Sequence, residues 1–188
     1  MKVLFITGPH AVGKMTVGEE LSQQLKLPLL FNHMTLDLLQ PFLGWTSEMF
    51  TLSNEIRVRL FQEIVKQPDN VGIIASFVTY FDDPKDIERN DRFFEIFREH
   101  NIEPYFIELE AELETRIIRN KDAHRLEKKP SKRNIEYSEK ELKEHTLYYR
   151  LNSNKNEIKY ERYCRLNTEY KTSKEVADSI INYFNFLD

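Results

Sequence analysis

Cysteine, glycine and proline are scarce in these 188 residues, which hold one cysteine, five glycines and seven prolines. The lone Cys164 cannot close an internal disulfide, so the disulfide-stapled class is excluded. Within Arg162-Tyr163-Cys164-Arg165-Leu166 it reads as a small buried strand residue. Scattered Pro and Gly leave no linker, and there is no internal repeat or low-complexity tract. No apolar run approaches membrane-spanning length, and the N-terminal one is too short for a signal-peptide core, so the cytoplasm is the expected location. Positive charge is also in deficit: 27 Lys and Arg face 31 Asp and Glu, a net of −4. That balance argues against broad adhesion to nucleic acid or membranes. What is present, 40% hydrophobic and 12% aromatic residues, suits one domain over residues 1–188 with a substantial core.

Short apolar runs at Val3–Thr7, Leu27–Phe31, Val71–Val78, Tyr105–Leu109 and Tyr163–Leu166 are five expected strands. Helical periodicity between them covers Lys14–Lys26, Thr51–Lys66, Asp86–His100, Glu112–Asn120 and Ser173–Phe184. Ser138 with Glu141 forms a capping-box pattern that starts a further helix through Leu142 and Tyr149, and Ser173 with Glu175 in the first turn reads as the cap of the last one. Strands alternating with helices imply an α/β protein, a parallel sheet covered on both faces.

The first strand runs directly into Gly8-Pro9-His10-Ala11-Val12-Gly13-Lys14-Met15-Thr16, which fits G-x-x-x-x-G-K. Glycines let successive backbone N–H groups turn around phosphate oxygens, and the lysine reaches the outer phosphates. Val17, Leu21 and Leu25 then give one apolar stripe on a helix whose N-terminus faces the anion. Gly8, Ala11, Val12, Gly13, Lys14, Met15 and Thr16 are therefore the expected nucleotide-binding set. The residue after the lysine is Met15, whose thioether is a poor ligand for Mg²⁺. Thr16 is better placed for the α-phosphate, which leaves the metal held through water and its protein ligands unknown.

Charge is uneven. The segment from Arg116 to Arg133 holds eight Lys or Arg against Asp122 and Glu127, so it carries +6 while the rest of the chain sums to −10. A basic segment on an acidic body points to a specific polyanionic ligand.

The GPHAVGKMT loop, the Arg116–Arg119 pair after the fourth strand, the basic segment and the late strand and helix together resemble the small-molecule P-loop kinases of the adenylate kinase and shikimate kinase group. AVGKMTVG is also similar to a group of bacterial predicted kinases with no assigned acceptor. The resemblance implies a three-layer fold with a five-stranded parallel sheet, ATP with Mg²⁺, an acceptor-binding helical region at about 33–67 and a basic helical lid at about 120–137. Lys14, Arg116, Arg119 and Arg125 are the catalytic candidates, with Arg116 and Arg119 also contacting nucleotide; Arg133 comes next. His33 and Asp37, just past the second strand, together with Arg57 and Tyr80, are the acceptor-side candidates, while Arg59 lies further round its helix. The third strand ends without the acidic residue expected to organise Mg²⁺, and Asp82 and Asp83 follow as water-mediated ligands or as turn and cap residues.

The implied activity is ATP-dependent phosphoryl transfer to a small-molecule acceptor such as a nucleotide, nucleoside or other metabolite. Two alternatives stay open: an ATP-binding switch or slow NTPase acting through a protein partner, and a polynucleotide 5′-hydroxyl kinase, which the acidic remainder of the chain disfavours. The acceptor, the choice of ATP or GTP, and the oligomeric state are not encoded in any recognisable motif.

Overall fold

The computed structural model describes residues 1–67 and 69–187. Five parallel strands, β1 (Lys2–Thr7), β2 (Leu29–Leu30), β3 (Gly72–Ser76), β4 (Tyr105–Glu110) and β5 (Tyr163–Asn167), form one sheet in the order β2-β3-β1-β4-β5. β1 lies in the middle, so Val3, Leu4, Phe5 and Ile6 are all fully buried. That position explains a continuous apolar run where a half-exposed strand would alternate.

The strand period of two assigns alternate residues to the two faces. Leu4 and Ile6 pack with Leu21, Val176 and Ile180 beneath α1 (Lys14–Leu25) and α8 (Ser173–Phe184). Val3 and Phe5 face α3 (Ser47–Ile64) and α4 (Pro84–Arg98). There Phe5 is ringed by Phe61, Phe77, Phe93, Phe94 and Phe97 at centroid distances of 5.3–6.1 Å, an arrangement of tilted rings that avoids face-to-face repulsion. The result is the expected helix–sheet–helix sandwich. Cys164 is buried and free, as its strand position implies, and among the described residues no helix is long and apolar enough to cross a membrane.

Several boundaries differ from the sequence expectation. β2 pairs over two residues only, and β3 ends at Ser76, after which Thr79 leaves the sheet and accepts a hydrogen bond from Thr7 at 2.9 Å. α2 (His33–Leu43) is a separate helix within the region expected to be helical, and it contains Pro41. α3 begins at Ser47 because Thr46 caps it, accepting from Met49 N at 3.2 Å. α4 begins at Pro84, capped by Asp83, with proline in the first turn where its missing N–H costs nothing.

Two caps need correction. α7 (Ile135–Tyr148) starts three residues before Ser138, capped by Asn134, which accepts from Tyr137 N at 3.1 Å. Ser138 is instead an interior residue that donates to Asn120 Oδ1 at 3.0 Å. The capping box of α8 belongs to Thr172, not Ser173: Thr172 and Glu175 exchange side-chain and backbone bonds reciprocally. The basic segment forms the end of α5 (Leu113–Asn120), the short α6 (Ala123–Lys128) and a 3-10 turn (Pro130–Lys132), and α7 brings the chain back.

Candidate active site

The Gly8–Thr16 loop sits at the carboxyl end of the central strand, where open α/β sheets bind ligands. Gly8 has φ 138° and a Cβ there would run into the Leu109 carbonyl oxygen; Gly13, at φ 107°, caps α1. Ala11 takes the left-handed conformation at φ 61° despite its methyl group. Lys14 Nζ spans the loop, donating to the carbonyls of Gly8 at 2.6 Å and Pro9 at 2.7 Å. Its pKa is driven well below the ordinary lysine value by burial and then by Lys129, Arg125 and Arg116. A polyanion placed here would relieve both the desolvation and the mutual repulsion.

One cavity of about 1010 Å³ runs from this loop between α2, α3 and the basic segment. It receives most of the expected residues and several unexpected ones. Arg119 lines it and is anchored to Thr168 Oγ1 at 2.9 Å and Thr168 O at 2.8 Å, with a further bond to Val12 O at 3.2 Å. Arg125 also lines it, its Nε bonded to Asn120 Oδ1 at 3.2 Å. Arg116 is buried and directed at Ala111 O and Thr146 Oγ1, both at 3.1 Å, outside the cavity lining, although its charge reaches Lys14. Arg133 is exposed and donates to Leu126 O at 3.1 Å.

At the far end, His33 opens α2 and pairs with Asp37 one turn later, Nδ1 to Oδ1 at 2.9 Å. Asp37 also accepts from Ser131 Oγ of the basic segment at 2.6 Å. Burial works to raise the Asp37 pKa, but the His33 bond, the His33 charge and the Ser131 bond together hold it below the ordinary value. An ionised carboxylate only accepts, so the His33 proton lies on Nδ1 and Nε2 is left as an acceptor. Burial pushes the imidazole down to about 4, outweighing the opposing pull of Asp37.

Arg57 is buried, donating to Asn32 O at 2.9 Å and Thr35 Oγ1 at 2.6 Å, and burial with Arg89 nearby lowers it to about 10. Arg89 holds Asp86 Oδ1 at 2.5 Å and Val78 O at 2.9 Å. The Nε atoms of both guanidiniums are buried and without partners among the described residues. Arg59 forms an exposed pair with Glu63 at 2.7 Å. Tyr80 bonds through its hydroxyl to His145 Nδ1 at 2.9 Å, and the same nitrogen lies 3.0 Å from Nε2 of His10 in the phosphate loop.

His10, His145, Arg89, Lys129, Lys132 and Ser131 were not singled out from the sequence. Arginines in the basic segment were preferred there for their planar fork, which passed over the three lysines, Lys121, Lys129 and Lys132, that line the cavity. Arg89 stands among the polar positions of an amphipathic helix, and only the fold turns it toward Arg57.

Mg²⁺ normally takes one or two carboxylates in addition to substrate phosphates. The carboxylates lining this cavity are already engaged. Asp83 caps α4 and Asp122 caps α6; Asp86 accepts from Tyr80 N and Arg89; Glu141 is paired with Lys132. Asp82 lies outside the lining and accepts from Arg150 N at 3.1 Å. Met15 is buried where a hydroxyl would be needed, and Thr16 Oγ1 is turned back to Gly13 O at 3.0 Å. Among the described residues no cluster of three or more His, Cys, Asp or Glu side chains is arranged for a metal. The donor set does not fit protein-ligated Mg²⁺.

No protein-family model matches the chain, and no curated protein matches it in sequence. Solved structures do match in shape. A shikimate kinase from Acinetobacter baumannii in complex with shikimate is 15% identical, with a TM-score of 0.58 over 100% of this chain and 96% of that one. An APS kinase from Mycobacterium tuberculosis in complex with AMPPNP and APS is 15% identical, with a TM-score of 0.60 over 98% and 97%. A gluconokinase from Sinorhizobium meliloti 1021 is 12% identical, with a TM-score of 0.60 over 99% and 93%. At this level of identity the likeness concerns the backbone, and it agrees with the strand order and the loop geometry. The chain has the P-loop NTPase fold in the form shared by these small-molecule kinases.

Proposed function

We propose that the protein is an ATP-dependent phosphotransferase that moves the γ-phosphate to the hydroxyl of a small-molecule acceptor bearing an anionic group. The observation that carries this reading is the continuity of one cavity from the phosphate loop to His33, Arg57 and Arg89. Residues about 33–67 then form the acceptor-binding region and about 120–137 the lid of a single unit.

Phosphoryl transfer asks chiefly for alignment and charge stabilisation. Gly8 to Thr16 cradle the phosphates, Lys14 neutralises the transferred group, and Arg125 meets it from the lid. Arg119 closes the nucleotide end by joining Val12 to Thr168, and Arg116 supports it by fastening α5 to α7 through Thr146. His33 Nε2 accepts the acceptor's hydroxyl proton, and Asp37 stabilises the imidazolium formed. Arg57 and Arg89, which line the same cavity, supply the positive charge for a carboxylate or phosphate on the acceptor, and Tyr80 borders the same space. No step is assigned to Mg²⁺. The switch reading keeps two observations, Met15 and the engaged carboxylates, and predicts no acceptor at all.

Hydroxyl compounds with and without an anionic group, screened by ADP release, test the acceptor class. Turnover is expected with acidic compounds, with KM raised about tenfold or more by Arg57→Met. Turnover on uncharged compounds that Arg57→Met leaves unchanged would contradict it.

A further inference from the structure

The phosphate end of the cavity holds more cations than it has carboxylates to pair with them. Lys129 stands opposite Lys14 on the wall formed by the basic segment, and its ammonium makes no hydrogen bond or ion pair among the described residues. Its backbone is fixed on both sides: Lys129 N donates to Arg125 O at 3.0 Å, and its carbonyl accepts from Lys132 N at 2.9 Å. The neighbouring Ser131 is tied to Asp37 on α2, so the lysine does not hang from a loose arm.

The groups facing it are Arg125 and Lys132 from its own segment, Lys14 from the phosphate loop, Asp37 from α2 and Glu19 from α1. Neither carboxylate forms an ion pair with Lys129, although Asp37 Oδ2 has no partner among the described residues and both charges act on the ammonium from a distance. Asp37 is held by His33 and Ser131, and Glu19 is bonded to His124 at 2.8 Å. Lys132 is paired with Glu141 and lies under Trp45. Lys129 is thus a positioned side chain that forms no ion pair with a protein anion, its repulsion by Arg125 and Lys132 outweighing the pull of Asp37 and Glu19, at a place where the metal-type ligands are missing.

We propose that Lys129 supplies the charge neutralisation that a divalent cation gives in other phosphoryl-transfer sites, so that this protein binds nucleoside triphosphate without needing Mg²⁺. The inference rests on the nucleotide assignment of the phosphate loop. It draws support from the titration of the group: burial, then Arg125 and Lys132, lower Lys129 to about 7. A triphosphate beside it restores the ammonium, so binding at pH 8 takes up a proton.

Calorimetric titration with ATP at pH 8, in buffers of different ionisation enthalpy and with either excess Mg²⁺ or EDTA, tests this without relying on turnover. For the unmodified protein the expected result is affinity in EDTA within about fivefold of that in Mg²⁺, with net proton uptake on binding. Lys129→Met should weaken ATP about tenfold or more and lower the uptake. Lys129→Arg, which keeps the charge but does not titrate, should retain affinity while lowering the uptake equally. A loss above fivefold on chelation, or a Lys129→Met protein with unchanged affinity and uptake, would overturn the proposal while leaving the kinase reading intact. Absence of ATP binding in both conditions would overturn the nucleotide assignment itself, and this inference with it.

Discussion

His33, buried beside Asp37, couples proton chemistry to stability in a way that can be measured. Its folded-state value of about 4 lies below the ordinary histidine value, so between those pH values the unfolded chain binds the extra proton. Stability is therefore full above about pH 6.5, falls as the pH drops toward 4, and flattens below it. The shift corresponds to roughly 3 kcal/mol at the acid end. His10 and His145, also lowered by burial, add in the same direction. Urea denaturation at pH 7 and pH 4.5 should show this loss, and His33→Gln should make it smaller; an equal loss in the variant would show that His33 is not its source. The same substitution should lower kcat about a hundredfold with little change in the KM for ATP. At this scale the sequence revealed the loop because G-x-x-x-x-G-K is contiguous and chemically demanding. It did not reveal Arg89 or Lys129, whose importance comes from what faces them across the cavity.

Elements were legible where one physical signal dominated. Buried apolar runs located the inner strands β1, β3 and β4, because both faces of a covered parallel sheet exclude polar side chains, and part-buried runs marked the edge strands β2 and β5. Helix starts were less legible, since several nearby residues can cap. Ser138 with Glu141 satisfies the capping pattern, yet Asn134 holds the position because the buried Ser138 hydroxyl is committed to Asn120 on α5. Thermal denaturation separates the two roles. Asn134→Ala should cost about 1 kcal/mol as a lost cap, and Ser138→Ala about 0.5–1.5 kcal/mol, because Asn120 Oδ1 loses one buried donor and keeps Arg125 Nε. A neutral Asn134→Ala would return the cap to Ser138. Thr172→Ala should likewise cost about 1 kcal/mol, while Ser173→Ala, outside the reciprocal box, should cost less.

Taken whole, the molecule places a basic segment over an acidic body, with its cations at the mouth of the phosphate loop. Ser131 with Asp37, His145 with His10, and His124 with Glu19 join that segment and α7 to α2, the phosphate loop and α1. These contacts link the two ends of the cavity. The charge bias was visible in the composition of residues 116–133; the contacts were not, because they join residues about a hundred positions apart. The far end of the cavity stayed illegible for the same reason, as it is assembled from residues of α2, α3 and α4 and no contiguous string encodes it. The most direct test of the central claim is transfer of label from γ-phosphate-labelled ATP to pooled nucleotides, nucleosides, sugars, antibiotics and oligonucleotides, with a no-acceptor control. Label should enter one small-molecule pool and fall at least about a hundredfold in folded Lys14→Ala. Label released only as inorganic phosphate, equally with and without acceptors, or transfer unchanged in Lys14→Ala, would contradict the account.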